Sequence, residues 1–468
     1  MAQGVARQLI EHLVRDDGQE DLCLAVYSPS TGLLRDTAIL KEVVLPEDGE
    51  RRVHGNATIT GTYVLRAATM AAKRGLGVAI LHSHPHATGW QEMSGPDRAA
   101  EASYAFLVHR LTGLPLVGMT LGGGNMAWSA RAWAPDGGHR AAQTVRTVGK
   151  SLRISYNDTL LPRPASTPSQ ARTVSAWGET KQADIARLRV LVIGVGSVGM
   201  PLAVTLAASG IEHIGIMDPD RVESVNLDRL VHARRRDALF RRLKVRVAAR
   251  EVRRAATARR IRIDAHPGDI TQQKWLKIAL DYDVIFSCVD RPHPRAVLNE
   301  IAYSDLIPVI DGGIKLDPTP DGTGLSSGTW RAHVLTPGTP CMECIGQIDA
   351  ADVSRDMRGL LDDPEYIKGA GLTVRPKQNV ALLSASVTAA LQTLFVSLVA
   401  TPGGRGVPRP LRYMLSIHQL EHVEVHSQPH CTYEGQTAAG DTRVQLTTGA
   451  APNAPSGAFG RARAGSAA

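Results

Sequence analysis

Little in this chain marks a secreted, disulfide-built or membrane-spanning protein. Its 468 residues include five cysteines, Cys23, Cys288, Cys341, Cys344 and Cys431, a small and odd set that fits a reducing compartment. No run of 18 or more apolar residues occurs, so composition predicts no membrane span. The opening stretch, MAQGVARQLIEHLVRDDGQE, reaches acidic residues too soon for a signal peptide, and the expected location is cytoplasmic. Residues 345–380 lack cysteine altogether, and the basic stretch 234–260 lacks the aromatic interleaving of a nucleic-acid platform.

What is present is an ordinary globular composition, 43% hydrophobic and 21% charged, long enough for two folded domains. The net charge of +8 is uneven: residues 234–260 hold twelve Lys/Arg against Asp237 and Glu251. The spacing of Arg242, Arg246, Arg250, Arg253 and Arg254 places much of this charge along one helical side. That reads first as a solvated helix face and second as a docking face for an acidic partner.

Residues 1–150 read as a compact α+β unit. Periodicity predicts a helix over 6–14, strands over 22–27 and 38–45, a helix over 61–74 and a short buried strand over 77–81. That strand delivers His82-Ser-His84-Pro85, followed by Ser94-Gly-Pro-Asp97 at the entry to a helix over 98–109. Histidines at i and i+2 on a strand end share a side, so both can meet one ion, with Asp97 as a third ligand and water as the fourth. An open three-ligand zinc site is a catalytic design, since zinc lowers the pKa of bound water from about 15.7 to about 7. These residues resemble the JAMM (JAB/MPN) metalloprotease family, a cytidine-deaminase-like fold. The resemblance implies His82, His84 and Asp97 as zinc ligands and Ser94 as the residue that helps hold the tetrahedral intermediate. It also implies a general base on an early strand, for which Glu20 fits and Glu42 is the runner-up.

LPRPASTPSQ (161–170) reads as an exposed linker within 151–171. Beyond it, a helix over 181–188 leads to RVLVIGVGSVGMPLAVTLAASGIEHIGIMD, a strand, a glycine turn, a helix and a second strand in the order of a nucleotide-binding βαβ unit. Gly194 and Gly196 let phosphate approach backbone N–H groups, and Gly199 lets the helix pack close to the strand. Asp218, 24 residues beyond Gly194, suits ribose hydroxyls. The chain then adds Asn226, Arg229 and Lys244, which can bind phosphate, and Asp290 at a strand's carboxyl end, which can hold magnesium.

Over residues 172–432 this set resembles the ThiF/MoeB family of adenylating enzymes, related to the adenylation domains of ubiquitin-activating enzymes. The resemblance implies ATP bound by Gly194, Gly196, Gly199, Asp218, Asn226, Arg229 and Lys244, with Mg²⁺ on Asp290. Arg172 corresponds to the family's N-terminal arginine. Lys244 stands two residues further from Arg229 than is usual. Cys341-x-x-Cys344 is half of the family's structural zinc site. The second CxxC is missing, leaving Cys431 with His430 or His426, so the site is either a Cys₃His variant or decayed. No cysteine stands where ubiquitin-activating relatives carry a thioester, and Cys288 reads as core.

The expected fold is thus α/β, a Rossmann-like ThiF domain preceded by a smaller JAMM domain, with an apolar helix over 377–399 as core or homodimer interface and a disordered tail over 433–468. The whole resembles a bacterial JAMM–ThiF fusion. The implied substrate is the C-terminal carboxylate of a small ubiquitin-like or sulfur-carrier protein ending in Gly-Gly, with a conjugating-enzyme homologue or a sulfur donor as further partner. The zinc (iso)peptidase would either mature the precursor or remove conjugates. Two other readings stand beside this one: a regulatory scaffold with a degenerate adenylation site, and an NAD-dependent oxidoreductase.

Overall fold

The computed structural model describes residues 1–54, 56–370 and 378–447. The N-terminal domain is built on a six-stranded sheet, in spatial order Asp36–Val44, Leu22–Thr31, Gly77–His84, Leu116–Gly122, Ala127–Trp133 and His139–Ala141, with a separate hairpin of Arg51–His54 and Asn56–Ile59. Its strands are antiparallel except where Gly77–His84 runs parallel to Leu116–Gly122. Helix Gln3–Leu13 covers one face through Ala6, Leu9 and Leu13. Helices Gly61–Lys73 and Gly95–Thr112 cover the other through Tyr63, Val64, Ala67, Ala105 and Val108. Both faces are therefore apolar, which is why Gly77–His84 reads as a continuous buried run with little alternation.

In the C-terminal domain an eight-stranded sheet begins with five parallel strands, in order Arg262–His266, His213–Met217, Arg189–Ile193, Val284–Ser287 and Val309–Pro318. Three antiparallel strands, Leu325–Leu335, Leu411–Met414 and Gln419–His422, extend it. The parallel half matches the expected Rossmann-like order, with Gly199–Ala208 crossing between Arg189–Ile193 and its neighbour. Helix Ala381–Ala400 packs its Val387, Leu391, Leu394 and Leu398 into the core. It is long and apolar enough to cross a membrane, but half of it is buried within the protein, and Ser384 and Thr388 are buried along it. Lys377, the start expected for this helix, lies outside the described residues.

Two boundaries differ from those expected. Residues 152–156 form a strand paired with Thr144–Val148, because Leu152 is buried in the core and Tyr156 lies under the Arg187 guanidinium. The 151–171 stretch is thus ordered at its start. Residues 433–447 of the expected tail are docked rather than disordered: Asp441 accepts from Thr31 N and Oγ1 at 3.0 and 2.7 Å, and Arg443 pairs with buried Asp305 at 3.0 Å. Asp305 also accepts Ser30 Oγ at 2.7 Å, so this segment seals a seam between the domains. The rest of the tail, 448–468, lies outside the described residues.

Candidate functional site

At the carboxyl ends of the parallel strands the glycine turn and its neighbours converge. Gly194 has φ +85, a left-handed conformation, and a Cβ there would lie 2.6 Å from the Cys288 carbonyl oxygen. Gly199 is as constrained, since its Cβ would meet the Gly194 carbonyl oxygen at 2.0 Å. Gly196 differs: nothing lies within 4 Å of the position of its Cβ. Asp218, 6% exposed, accepts from Val195 N and Asp220 N at 2.8 Å each, which fixes its carboxylate against the turn. Burial raises the Asp218 carboxyl above its usual range, and the Lys244 charge counters this. Lys244 pairs with Asp220 at 2.8 Å, so its extra sequence distance from Arg229 does not carry it away from Asp218.

Asn226 caps a short turn by accepting from Glu223 N through Oδ1 at 3.0 Å, a use that does not compete with phosphate, which takes donors. The Arg229 guanidinium donates to Val225 O and Asp228 at 2.6 and 2.9 Å. Asp290 is exposed, two residues beyond the Cys288 carbonyl that abuts Gly194. Arg172 is not brought here. Its helix, Ala171–Trp177, follows Gln170, whose amide is packed against Gly210. Gly210 lies at the far end of the ten-residue Gly199–Ala208 helix, about 15 Å from the turn. The sequence reading also missed Ser197, which joins Asn379 at 2.9 Å and Ser384 at 3.1 Å and so ties the turn to Ala381–Ala400. No local motif links residues so distant in sequence.

The sequence model of the ThiF family matches residues 169–423, more than half of the chain and all eight strands of the larger sheet. The chain belongs to the ThiF family. It is similar to the adenylyltransferase and sulfurtransferase MOCS3 of Drosophila willistoni, 23% identical over 361 residues, covering 70% of this chain and 75% of that protein. It is also similar to the adenylyltransferase and sulfurtransferase UBA4 of Meyerozyma guilliermondii, 30% identical over 141 residues. That match covers 30% of this chain and 32% of the relative, so the chain spans about a third of it. Among solved structures, E. coli MccB with ATP shares 18% identity at a TM-score of 0.42, over 55% of this chain and 69% of that one.

The ThiF domain also gathers Cys341, Cys344 and Cys431, whose sulfurs lie within 4.8 Å of one another. Each sulfur accepts a backbone N–H: Cys341 from Cys344 at 3.4 Å, Cys344 from Gln428 at 3.3 Å, and Cys431 from Glu434 at 3.4 Å. Such bonds favour thiolates, and three soft donors at this spacing fit zinc. His426 and His430 are exposed and do not join the group among the described residues, so the Cys₃His set is assembled only in its cysteines. Cys288 sits apart, its thiol pushed up by burial and by Asp311, which suits a packed side chain and not a nucleophile.

A second cluster lies in the N-terminal domain, which the family match does not reach. Antiparallel pairing puts Leu22 opposite His82, so two residues earlier Glu20 arrives beside His84, with Oε1 4.0 Å from Nε2. Glu42 is instead paired with Arg74 at 2.6 Å. His82 and His84 lie 3.5 and 3.7 Å from Asp97, and the donor atoms of all three fall within 4.8 Å. Ser94 donates to Asp97 at 2.7 Å and caps helix Gly95–Thr112, so Ser-x-x-Asp is here also a capping box. The histidines and Ser94 hold the Asp97 carboxyl well below the usual carboxylate range. Sequence reading missed a buried chain of contacts that ends on the same His82 Nε2 that faces Asp97. Buried Glu101 pairs with Arg131, Arg131 donates to Thr120 Oγ1 at 2.8 Å, and that hydroxyl lies 3.3 Å from His82 Nε2.

Proposed function

We propose that this chain is a MgATP-dependent adenylyltransferase that activates the C-terminal carboxylate of a small ubiquitin-like or sulfur-carrier protein. The observation that carries the reading is the convergence of the glycine turn, buried Asp218, Lys244 and Asp290 at the carboxyl ends of the parallel strands. The space open at Gly196 admits phosphate to backbone N–H groups, and Asp218 accepts from the ribose hydroxyls. The carrier's carboxylate oxygen attacks the α-phosphorus, forming the acyl–adenylate bond while the α–β phosphoanhydride breaks and pyrophosphate leaves. Lys244, Arg229 and the Asn226 amide oppose the charge that grows on the phosphates. Asp290 would hold Mg²⁺, which neutralises phosphate oxygens when bound. The turnover forms no thioester on this chain; the adenylate passes to sulfur or to another protein's thiol.

The exposed apolar side chains Val225, Val231, Leu239 and Phe240, interspersed with arginines, lie on the segment that carries Asn226, Arg229 and Lys244 and support a macromolecular substrate. The similarity to MOCS3 and UBA4, both adenylyltransferases and sulfurtransferases by name, supports the adenylation step. The N-terminal domain is assigned a zinc (iso)peptidase acting next to the C-terminus of the same carrier. His82, His84 and Asp97 fit zinc by donor type and spacing, and a bound ion would supply a Lewis acid. Glu20 takes the proton of the attacking water and returns it to the leaving amine. Ser94 orients Asp97, and its hydroxyl proton turns from Asp97 to the tetrahedral oxygen as that oxygen forms.

The adenylation test is mass spectrometry of a β-grasp carrier ending in Gly-Gly after incubation with the full chain and MgATP. An adduct heavier by one AMP is expected, falling at least a hundredfold with Lys244→Met or Asp290→Asn. An undiminished yield with both variants sinks the assignment, and an inert wild type with intact ATP binding favours a scaffold.

A further inference from the structure

A cavity of about 730 Å³ separates the two domains at the end of the parallel strands opposite the glycine turn. One wall is the first residues of those strands, Arg189, His213 and Arg262, with Asp283 just before Val284. The strand that runs from Arg189 to the turn is five residues long, so the cavity is about 16 Å from the phosphate position. The other wall is the N-terminal domain's sheet, where Val117, Met119, Ala130 and Ala132 present a small-residue, apolar surface. The volume is that of a small-molecule site.

Charge is unbalanced within it. Asp283 accepts from Arg35 at 2.6 Å and Arg146 at 3.2 Å, and also from the backbone N–H of Arg189 at 3.0 Å. Arg189 adds a third guanidinium, with a long contact to Gln143 at 3.4 Å. Desolvation and mutual repulsion with Arg35 depress both Arg146, to about 9, and Arg189. The nearby Asp281 accepts Leu34 and Arg35 N–H groups, and Asp264 is taken by His213 and Arg262. The lining as a whole carries seven arginines against five aspartates.

We infer that this cavity binds a small amphipathic organic anion, its carboxylate or phosphate against Arg35, Arg146 and Arg189 and its apolar body against Val117, Met119 and Ala132. Such a ligand touches both domains at once and leaves the nucleotide crevice open. Its binding free energy therefore adds to whatever holds the domains together.

The test uses 8-anilinonaphthalene-1-sulfonate as probe on the full chain. Saturable fluorescence enhancement near one equivalent is expected, unchanged by saturating MgATP. It should weaken at least fivefold in Arg189→Gln, a partly exposed strand-initial position whose backbone bond to Asp283 survives, and vanish in Ala132→Trp, which fills the space. Displacement by 1-naphthyl phosphate but not by 1-naphthoate assigns a phosphate ligand; the reverse assigns a carboxylate. Should Ala132→Trp fail to fold, Arg189→Gln decides alone. Absent saturation, displacement by MgATP, or an Arg189→Gln affinity equal to wild type overturns the inference.

Discussion

Three glycines within six residues, Gly194, Gly196 and Gly199, make opposite demands, and alanine at each separates folding from ligand binding. At Gly194 an L side chain must adopt φ +85, costing about 1–2 kcal/mol, and its Cβ lands 2.6 Å from a backbone carbonyl that cannot rotate aside. At Gly199 the clash is backbone on both sides, 2.0 Å from Gly194 O, and shifting the helix adds overpacking of about 1–3 kcal/mol. At Gly196 the space is open and φ is ordinary, so alanine should change stability by less than about 0.5 kcal/mol. The open space is where phosphate must approach, so Gly196→Ala should lose at least tenfold in ATP affinity, about 1.4 kcal/mol. Thermal unfolding without nucleotide, followed by calorimetric titration with MgATP, reads both quantities. For a domain of this size each kcal/mol moves Tm by about 2–4 °C, so Gly194→Ala and Gly199→Ala should fall by several degrees and Gly196→Ala should not. A Gly196→Ala protein that binds ATP like wild type, or one as unstable as Gly199→Ala, refutes the division of roles.

Three further outcomes follow from the same reasoning. Glu300 is 2% exposed and pushed up to about 8 by burial, with Arg443 opposing and Asp305 adding to the shift. Between its ordinary 4.5 and about 8 the folded chain keeps a proton that the unfolded chain releases, so stability falls as pH rises through that window. Glu300→Gln should therefore gain on wild type from pH 5 to 8, by at most about 5 kcal/mol, and a flat difference in urea midpoints denies the shift. Zinc analysis of the full chain should give about two equivalents, one lost with Cys344→Ser together with several degrees of Tm, and one lost with His82→Ala at little cost in Tm. Arg131→Met should cost at least 2 kcal/mol by leaving the buried Glu101 carboxylate unpaired, and an unchanged urea midpoint counts against that role.

Much of the architecture was legible because period and punctuation agree. The apolar run before Gly194, the glycine turn and the second run ending at Asp218 form the parallel strands and crossover helix they predict. His82 and His84 share a strand face as their i, i+2 spacing requires. What escaped the sequence depends on contacts between distant segments. The strand at residues 152–156 sits beside a proline-rich stretch, and its pairing with Thr144–Val148 outweighs that local composition. Residues 433–447 read as disordered by composition, but Asp441 and Arg443 find Thr31 and Asp305 more than a hundred residues away. That Glu20 lies beside His84 while Glu42 pairs with Arg74 follows from the Leu22–His82 register, which no spacing in one strand discloses. Four of the basic segment's twelve cations share its two acids, Asp237 taking Arg242 and Arg250 and Glu251 taking Arg234, Arg250 and Arg254, so the segment keeps a large positive excess.

The most direct test of the central proposal is ATP–pyrophosphate exchange by the full chain in the presence of a β-grasp carrier ending in Gly-Gly, offered with a free or an amidated C-terminus. Exchange with the free carboxylate and none with the amide is the predicted result. Exchange indifferent to amidation, or no exchange beside turnover of a nicotinamide cofactor, contradicts it.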